Sequence, residues 1–252
     1  MSAARANVQP VPQLEIAHVL FMDIVAYSTM PMDRQQSVVD TLQEAVQSAI
    51  EFCEVDKSHE LIRLPTGDGM ALVFFGRPEA PVLCALKLAE LLRGQTEVKL
   101  RMGIHSGPVY RRADINANTN VAGGGINIAQ RVMDCGDSGH ILVSKAVGDT
   151  LGEVSQWADT LHDLGEVTVK HGVRVHVFNL YTADAGNAEI PAKVSAARTV
   201  VLQPQTTPKR QSLVIRKKLG SFMGAAVLLA TLYPLGVRVL HRNAAHSLEF
   251  RH

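Results

Sequence analysis

The chain has few cysteines and almost no net charge, and both facts exclude classes of protein. Its three cysteines, Cys53, Cys84 and Cys135, are far apart and form no CxxC pair. This argues against a disulfide framework and a zinc site, and it favours a reducing compartment. A formal net charge of +1 provides no basic face, so no nucleic-acid partner is expected. The first 13 residues lack an apolar segment and are not expected to be a signal peptide.

Apolar residues are not scarce, because they make up 46% of the sequence, which is enough to form a core. Their spacing predicts the order β-α-β-β-α-β followed by further helices and strands, the order of a ferredoxin-like α+β core. A turn is predicted at His105-Ser106-Gly107, between a strand that ends at Ile104 and another that starts near Pro108. The predicted strands of the core are 14–24, 60–64, 70–74 and 98–104, and its predicted helices are 33–55 and 79–92.

The longest uncharged segment lies near the end of the chain and predicts a membrane anchor. Residues 219–237 are 19 residues without a charge, which suffices to cross the roughly 30 Å hydrocarbon core of a bilayer. Lysines and arginines at 209–218 are expected to stay in the cytoplasm, leaving the preceding domain cytoplasmic and tethered to the inner membrane. A buried amphipathic helix and a helix lying on the membrane are the alternatives, but no polar stripe interrupts the segment.

The composition after Ala183 is rich in Ala, Pro, Gln and Thr, which is typical of a linker. The chain therefore divides into a folded part, a linker and an anchor. The predicted regions are a flexible N-terminus (1–13), a folded domain (14–183), a linker with a basic juxtamembrane segment (184–218), a transmembrane anchor (219–240) and a short tail (241–252).

Two aspartates stand at the ends of apolar strands, Asp23 in VLFMDIVAYS and Asp68 in PTGDGMALVF. Each alone is explained by local structure, because Asp caps turns and Asp-Gly is a frequent hairpin corner. If the first strand lies beside the predicted hairpin, both carboxylates emerge at one edge and can share a divalent ion. Oxygen ligands on Mg²⁺ or Mn²⁺, with positions left for water and phosphate, are typical of phosphoryl-transfer sites. Backbone N–H groups of 24–28 are then expected near the phosphates.

Five segments occur in one order along the chain: FMDIVAYS, TGDGMALVF, RMGIHSGPV, GGGINIAQRVMDCGDSGHILVS and LGEVTVKHGVRVHVFNL. Together they resemble the class III nucleotidyl cyclases, the adenylate and guanylate cyclase homology domain, over residues 14–182. The resemblance implies that 14–183 form a catalytic domain with a ferredoxin-like core, working as a homodimer with active sites at the subunit interface. It also implies that a nucleoside triphosphate is converted to pyrophosphate and a 3′,5′-cyclic nucleotide, a second messenger for a downstream receptor protein.

The same resemblance assigns catalytic roles to individual residues. Asp23, Asp68 and the carbonyl of Ile24 match the ligands of two divalent ions, Mg²⁺ or Mn²⁺, which lower the pKa of the ribose 3′-hydroxyl. Asn127 and Arg131 match the family's Asn-x-x-x-Arg pair, whose members share one helix face. The asparagine would orient the ribose, and the arginine would neutralise charge on the α-phosphate in the transition state.

Lys170 in VKHG matches the lysine that binds the outer phosphates, although His171 stands where the family usually has glycine. Each of these polar residues also has a structural explanation. Asn127 could cap its helix, Arg131 could be a solvated surface charge, and Lys170 could guard an edge strand. Their joint occurrence with both aspartates favours the catalytic interpretation.

The resemblance fails at the two positions that read a purine base. Adenylate cyclases have a lysine four residues before the second metal aspartate and an aspartate seven before the catalytic asparagine. This chain has Leu64 and Asn120 there. Leucine cannot hydrogen-bond a base edge, and asparagine offers an amide in place of a carboxylate. The base preference is therefore expected to differ from that of the purine enzymes.

Three interpretations follow from these two changes. The chain resembles the pyrimidine cyclases of bacterial anti-phage signalling in its short length, its intact metal and Asn/Arg positions and its altered base positions. It would then convert UTP to cyclic UMP or CTP to cyclic CMP. The second interpretation is an adenylate cyclase that makes cyclic AMP through divergent base contacts. The third, from another class, is a non-catalytic, membrane-tethered dimerisation or nucleotide-sensing module, which retention of the whole residue set disfavours.

Overall fold

The computed structural model describes residues 13–53, 61–113 and 119–202. The chain divides into two compact units, Met1–Gln205 and Thr206–His252, and the second lies outside the described residues. Within the described residues, no helix has the length and apolar character needed to cross a membrane. The predicted anchor at 219–240 and the tail at 241–252 lie outside the described residues and stay predictions.

The described part of the first unit alternates strands and helices. In chain order they are β1 (Gln13–Ile24), α1 (Met32–Phe52), β2 (Leu61–Pro65), β3 (Gly69–Phe74), α2 (Ala80–Leu91), β4 (Leu100–Ala113), β5 (Thr119–Ala122), α3 (Gly124–Met133), β6 (Ile141–Ser144), α4 (Lys145–Gly152), β7 (Leu161–Thr168), β8 (Arg174–Leu180) and α5 (Ala192–Leu202).

One sheet organises the domain, with the strand order β2-β3-β1-β4-β6-β8-β7 and β5 paired to β4. The first four strands are mutually antiparallel neighbours in the order β2-β3-β1-β4. This arrangement, with α1 and α2 as its connections, is the ferredoxin-like core, so the predicted α+β fold class is confirmed for this part. Strand β6 extends the sheet by pairing parallel to β4, and β8 and β7 follow antiparallel.

From Val19 to Ile24 the central strand β1 is buried on both faces, which explains the nearly continuous apolar sequence of this half. Leu20 and Met22 belong to the core cluster that includes residues of α1 and α2. Val19 and Phe21 face the other way, into a cluster that includes Ala129 and Met133 of α3. Because side chains alternate along a strand, β1 carries one core on each side and holds the site at its end between them.

The predicted turn at His105-Ser106-Gly107 is wrong, because β4 runs without interruption through these residues. They pair in register with β1, His105 opposite Val19 and Ser106 opposite His18. The polar side chains find partners across strands: His18 Nδ1 lies 2.7 Å from Ser106 Oγ, and His105 Nδ1 lies 2.8 Å from Ser144 Oγ. Burial lowers the pKa of His105 to about 4, so the imidazole is neutral at physiological pH.

The folded unit continues past residue 183, where composition predicts the start of the linker. Val194 of α5 is buried against a cluster that includes Leu164 and Val132. Before it, the Glu189 carbonyl oxygen lies 2.9 Å from His140 Nε2. Amino-acid composition could not predict these contacts, because they are made by one buried valine and by backbone carbonyl groups, which every residue has.

Helix α3 lies very close to β4, and Gly103 makes this approach possible. A Cβ atom at this position would stand 2.6 Å from the carbonyl oxygen of Ala129 and would also clash with the backbone nitrogen of Met133. Both neighbours are backbone atoms of a helix, so neither can move without shifting α3.

We expect Gly103→Ala to lower the free energy of unfolding by about 2–3 kcal/mol, because overpacking against a backbone cannot relax by side-chain rotation. Urea denaturation measures the change. Gly152→Ala is the matched control, since a Cβ there meets no atom within 4 Å, and it should raise the free energy of unfolding by up to about 1 kcal/mol. Equal unfolding midpoints for the two variants would show that α3 does not approach β4 as described.

Candidate active site

Asp23 and Asp68 are brought together because the β2–β3 hairpin lies against the end of β1. Asp23 pairs with Gly69, and the Ile24 amide donates a 2.9 Å hydrogen bond to the carbonyl oxygen of Asp68. Only glycine fits at position 69, since a Cβ would stand 2.7 Å from the Cα of Asp23. Gly67 has a left-handed φ of 94°, which glycine adopts without cost. The TGDG turn therefore serves both a tight hairpin and a close approach to Asp23.

Both aspartates line one cavity of about 370 Å³ at this end of the sheet. Asp23 is buried, with 8% of its surface exposed, whereas Asp68 is only half-buried. The cavity opens beside the segment that follows β1 and the loop that follows α3. Its lining residues are Asp23, Ile24, Val25, Ala26, Tyr27, Ser28, Asp68, Arg101, Gly136, Asp137 and Ser138.

Arg101 is the residue in this cavity that sequence reasoning missed. It pairs with Asp23 across β1 and β4, and its Nε and Nη2 atoms each lie 2.7 Å from one carboxylate oxygen of Asp23. This hydrogen bonding raises the pKa of Arg101 above its usual value. Nη2 also lies 3.3 Å from Oδ1 of Asp134, just after α3. A charged residue among the apolar residues of LRMGI was the available signal, but only strand register shows its partner.

The segment after Asp23 offers fewer backbone donors than the sequence suggests. The amide of Ile24 is bonded to Asp68, and that of Val25 donates a 2.8 Å hydrogen bond to the carbonyl of Lys99. The cavity wall continues through Ala26, which has a left-handed φ of 63° unusual for alanine. Any phosphate contact by this backbone must therefore begin at Ala26.

Asn127 and Arg131 lie on α3, away from this cavity lining. The buried face of the helix carries Ala129 and Val132, whereas Asn127 is exposed and Arg131 half-buried. Neither residue belongs to the lining of the cavity that holds the aspartates. The structure therefore places the predicted metal ligands together and the predicted Asn/Arg pair elsewhere on the same domain.

Lys170 stands in a short turn between β7 and β8 and is highly exposed, at 81% of its side chain. Its Nζ atom lies 3.8 Å from Oδ2 of Asp134, the residue that also contacts Arg101. The neighbouring His171 has a left-handed φ of 64°, a conformation that glycine adopts more readily. His171 therefore adopts a backbone conformation that a glycine would adopt at lower energetic cost.

The predicted base positions lie on β2 and β5, which contact each other although each pairs with a different strand of the sheet. Leu64 of β2 pairs with Ala71 and packs, half-buried, against the α3-side core cluster. Asn120 lies on β5, which comes into contact with β2. Its side-chain oxygen accepts a 2.7 Å hydrogen bond from the backbone N–H of Val121, so the amide oxygen has a local partner.

Asp23, Asp68 and the Ile24 carbonyl are the residues that could hold a divalent ion. The described residues contain no group of three His, Cys, Asp or Glu side chains placed for a metal. Two carboxylates in one cavity nevertheless suit Mg²⁺ or Mn²⁺, because these ions retain waters and take phosphate oxygens as further ligands. The donor set fits such an ion, provided that Arg101 leaves the carboxylate oxygens of Asp23.

Comparison with known families decides the assignment. The model of the adenylate and guanylate cyclase catalytic domain matches residues 10–182. The chain belongs to this family. It is accordingly an enzyme with a nucleotidyl cyclase catalytic domain, and the domain includes every residue of the cavity and of α3. Cyclases of this class generally use divalent metal ions. No curated protein sequence matches the chain.

Solved structures of cyclase domains share the fold at low sequence identity. The guanylate cyclase domain of RhGC from Catenaria anguillulae, in complex with GTP, is 18% identical with a TM-score of 0.57, covering 69% of this chain and 100% of that one. The adenylyl cyclase CyaB from P. aeruginosa is 16% identical with a TM-score of 0.57, covering 70% and 100%. The guanylyl cyclase Cya2 is 17% identical with a TM-score of 0.55, covering 72% and 98%. The neighbours include adenylyl and guanylyl cyclases, so fold similarity does not assign the base.

Proposed function

We propose that the cyclase domain converts a nucleoside triphosphate to a 3′,5′-cyclic nucleotide and pyrophosphate at the cavity that holds Asp23 and Asp68. The observation that supports this proposal is the meeting of two acidic side chains, Asp23 at the end of β1 and Asp68 in the β2–β3 turn, in one open cavity. The two carboxylates and the Ile24 carbonyl would hold two divalent ions. Bound there, the ions would acidify the ribose 3′-hydroxyl and neutralise the phosphates.

The remaining residues of the proposed site position and stabilise the substrate. Asn127 binds the ribose and holds its 3′-oxygen in line with the α-phosphorus. Arg131 donates to the α-phosphate, where negative charge increases in the transition state. Lys170, exposed in its turn, contacts the outer phosphates and stabilises the departing pyrophosphate.

The proposed site is complete only in a homodimer. Asn127 and Arg131 do not line the cavity of their own protomer, which fits a site to which a second copy contributes them. An exposed apolar surface is available for that copy on the paired ends of β1 and β4. Leu14 and Ile16 are 57% and 63% exposed, and Tyr110, which pairs with Leu14, is 44% exposed. Covering these side chains would contribute to association through apolar burial.

The proposed substrate carries a pyrimidine base, UTP or CTP, in keeping with a role in anti-phage signalling. Leu64 offers an apolar surface where a purine-reading lysine would stand. The oxygen of Asn120 already accepts one backbone N–H, whereas within the described part of the chain its amide nitrogen keeps both of its donors for a ligand. Uracil, cytosine and guanine present carbonyl oxygens to such a donor, and adenine has none, so Asn120 disfavours adenine and the choice of a pyrimidine over guanine rests on the change at Leu64. Cyclic AMP production through other contacts is the alternative.

Incubating the full-length protein in mild detergent with Mn²⁺ and ATP, GTP, CTP or UTP tests the proposal. Mass spectrometry of the products identifies the base. We expect cyclic UMP or cyclic CMP to form at least about tenfold faster than cyclic AMP, the discrimination that one or two base contacts provide. Cyclic AMP as the sole product would contradict the pyrimidine assignment. Absence of every cyclic product from a dimeric protein would favour a non-catalytic module.

We further propose that residues 219–240 anchor the protein to the inner membrane and leave the catalytic domain in the cytoplasm, near its downstream cyclic-nucleotide receptor. The support is the uncharged segment at 219–237 and the basic residues before it. Tethering would raise the local concentration of catalytic domains and favour their dimerisation. Release of the full chain from membranes by alkaline carbonate would contradict a spanning anchor.

A further inference from the structure

An ion-pair chain connects the proposed metal ligand to residues that have no assigned role in metal binding. Arg101 is bonded to both carboxylate oxygens of Asp23, at 2.7 Å each. The same guanidinium reaches Asp134 at 3.3 Å, and Asp134 in turn lies 3.8 Å from Lys170. The four side chains therefore form one chain, Asp23–Arg101–Asp134–Lys170.

A metal ion and Arg101 cannot use Asp23 in the same way at the same time. A divalent ion takes its ligand oxygens directly, and both oxygens of Asp23 already accept N–H groups from Arg101. Each carboxylate oxygen has a second lone pair, but the positive guanidinium would repel the ion at this distance, so we expect Arg101 to move when the ion binds. It is only about a quarter exposed, so it needs another carboxylate to avoid a poorly solvated charge.

Asp134 is the carboxylate placed to receive it. Among the ion pairs of the described residues, Asp23 and Asp134 are the acceptors that Arg101 contacts. Asp68 also lies within electrostatic range of the guanidinium. Movement onto Asp68 would obstruct the second proposed metal ligand, whereas movement onto Asp134 leaves both free. Asp134 ends α3 with 22% of its side chain exposed, so it is held in place but accessible.

We propose that Asp134 is a positioning residue that accepts Arg101 when a divalent ion binds Asp23. Arg101 then alternates between two carboxylates. While it is paired with Asp23 the metal site is blocked, and while it is paired with Asp134 the metal site is free. The shift strengthens the pairing of Asp134 with Arg101. This inference rests on the metal site of the proposed function, but it concerns Arg101 and Asp134 and needs no nucleotide.

Electron paramagnetic resonance tests the inference by measuring Mn²⁺ binding to the full-length protein in mild detergent, without nucleotide. We expect Arg101→Gln to bind Mn²⁺ about tenfold more tightly, since no ion pair must then be broken. Asp134→Asn should bind about tenfold more weakly, since Arg101 then has no second acceptor. Arg101→Lys, which keeps the charge but lacks the two-pronged donor, should fall between wild type and Arg101→Gln.

The double variant distinguishes positioning from a simple loss of negative charge. If Asp134 acts through Arg101, Asp134→Asn in the Arg101→Gln background should weaken Mn²⁺ binding no more than the control Asp137→Asn does. Asp137 lines the same cavity, so its variant measures the loss of one nearby charge. An equal effect of Asp134→Asn in both backgrounds would overturn the inference.

The inference and the proposed function fail in different ways. Equal Mn²⁺ affinity of the wild type and of Asp68→Asn would overturn the metal site itself, and the inference with it. Mn²⁺ binding that depends on Asp68 but not on Arg101 or Asp134 would overturn the inference alone. Thermal unfolding gives a second readout, because Arg101→Gln leaves Asp23 unpaired and should gain more stability from Mn²⁺ than wild type does.

Discussion

Asp68→Asn is expected to reduce cyclic nucleotide formation by about a thousandfold or more, because an amide replaces one of two charged ligands of the catalytic ions. The substitution keeps the size of the side chain. It also keeps the Asp68 carbonyl that accepts the Ile24 amide, so the hairpin should remain in place. Initial rates with saturating Mn²⁺ and each nucleoside triphosphate measure the loss, and urea denaturation verifies the fold.

Asp149→Asn provides the control for removal of one carboxylate elsewhere in the domain. Asp149 lies on the exposed side of α4 and pairs with Lys145 one helical turn away. Exposed pairs of this kind contribute little stability, so both activity and unfolding midpoint should stay near wild type. Retention of more than about a tenth of the activity by Asp68→Asn would remove Asp68 from the metal centre.

Mixing two inactive variants should restore activity if each active site combines residues of two protomers. Asp68→Asn disables the metal half of a site, and Arg131→Ala disables the phosphate half. In a mixed dimer, one site receives both defects and the other receives neither. Random association makes half of the dimers mixed, so activity should return to about a quarter of wild type, far above either variant alone.

A second mixture controls for non-specific recovery. Asp23→Asn and Asp68→Asn both damage the metal half, so every site in their mixed dimers carries one defect and activity should stay at background. Protomers with two different affinity tags show whether mixed dimers form. Mixed dimers of Asp68→Asn and Arg131→Ala without activity would mean that α3 acts within its own protomer.

The sequence predicts the architecture well where local patterns and chain order decide it. Alternation and helical spacing predict the strands and helices of the ferredoxin-like core because each element buries a face. A turn is wrongly predicted at the polar triplet His105-Ser106-Gly107, because the partners of these side chains are distant in sequence. His105 bonds to Ser144 and His18 bonds to Ser106, and these pairings exist only after the sheet has assembled.

In the candidate site too, the sequence predicts the residues that local patterns place and misses those that depend on tertiary pairing. Two aspartates at strand ends predict a shared position, because antiparallel neighbours bring those ends together. The partners of those aspartates depend on register, which no local pattern specifies. Arg101 meets Asp23 only because the two pair across β1 and β4. Asp134 joins them only because α3 lies against β4 over Gly103.

Anomalous diffraction at the manganese edge, from crystals of the protein with Mn²⁺ and an α-thio nucleoside triphosphate, tests the metal centre most directly. The structure predicts an anomalous peak bonded to carboxylate oxygens of both Asp23 and Asp68, with the guanidinium of Arg101 moved from Asp23 to Asp134. Manganese bound elsewhere, with Arg101 still holding both oxygens of Asp23 beside the bound nucleotide, would contradict it.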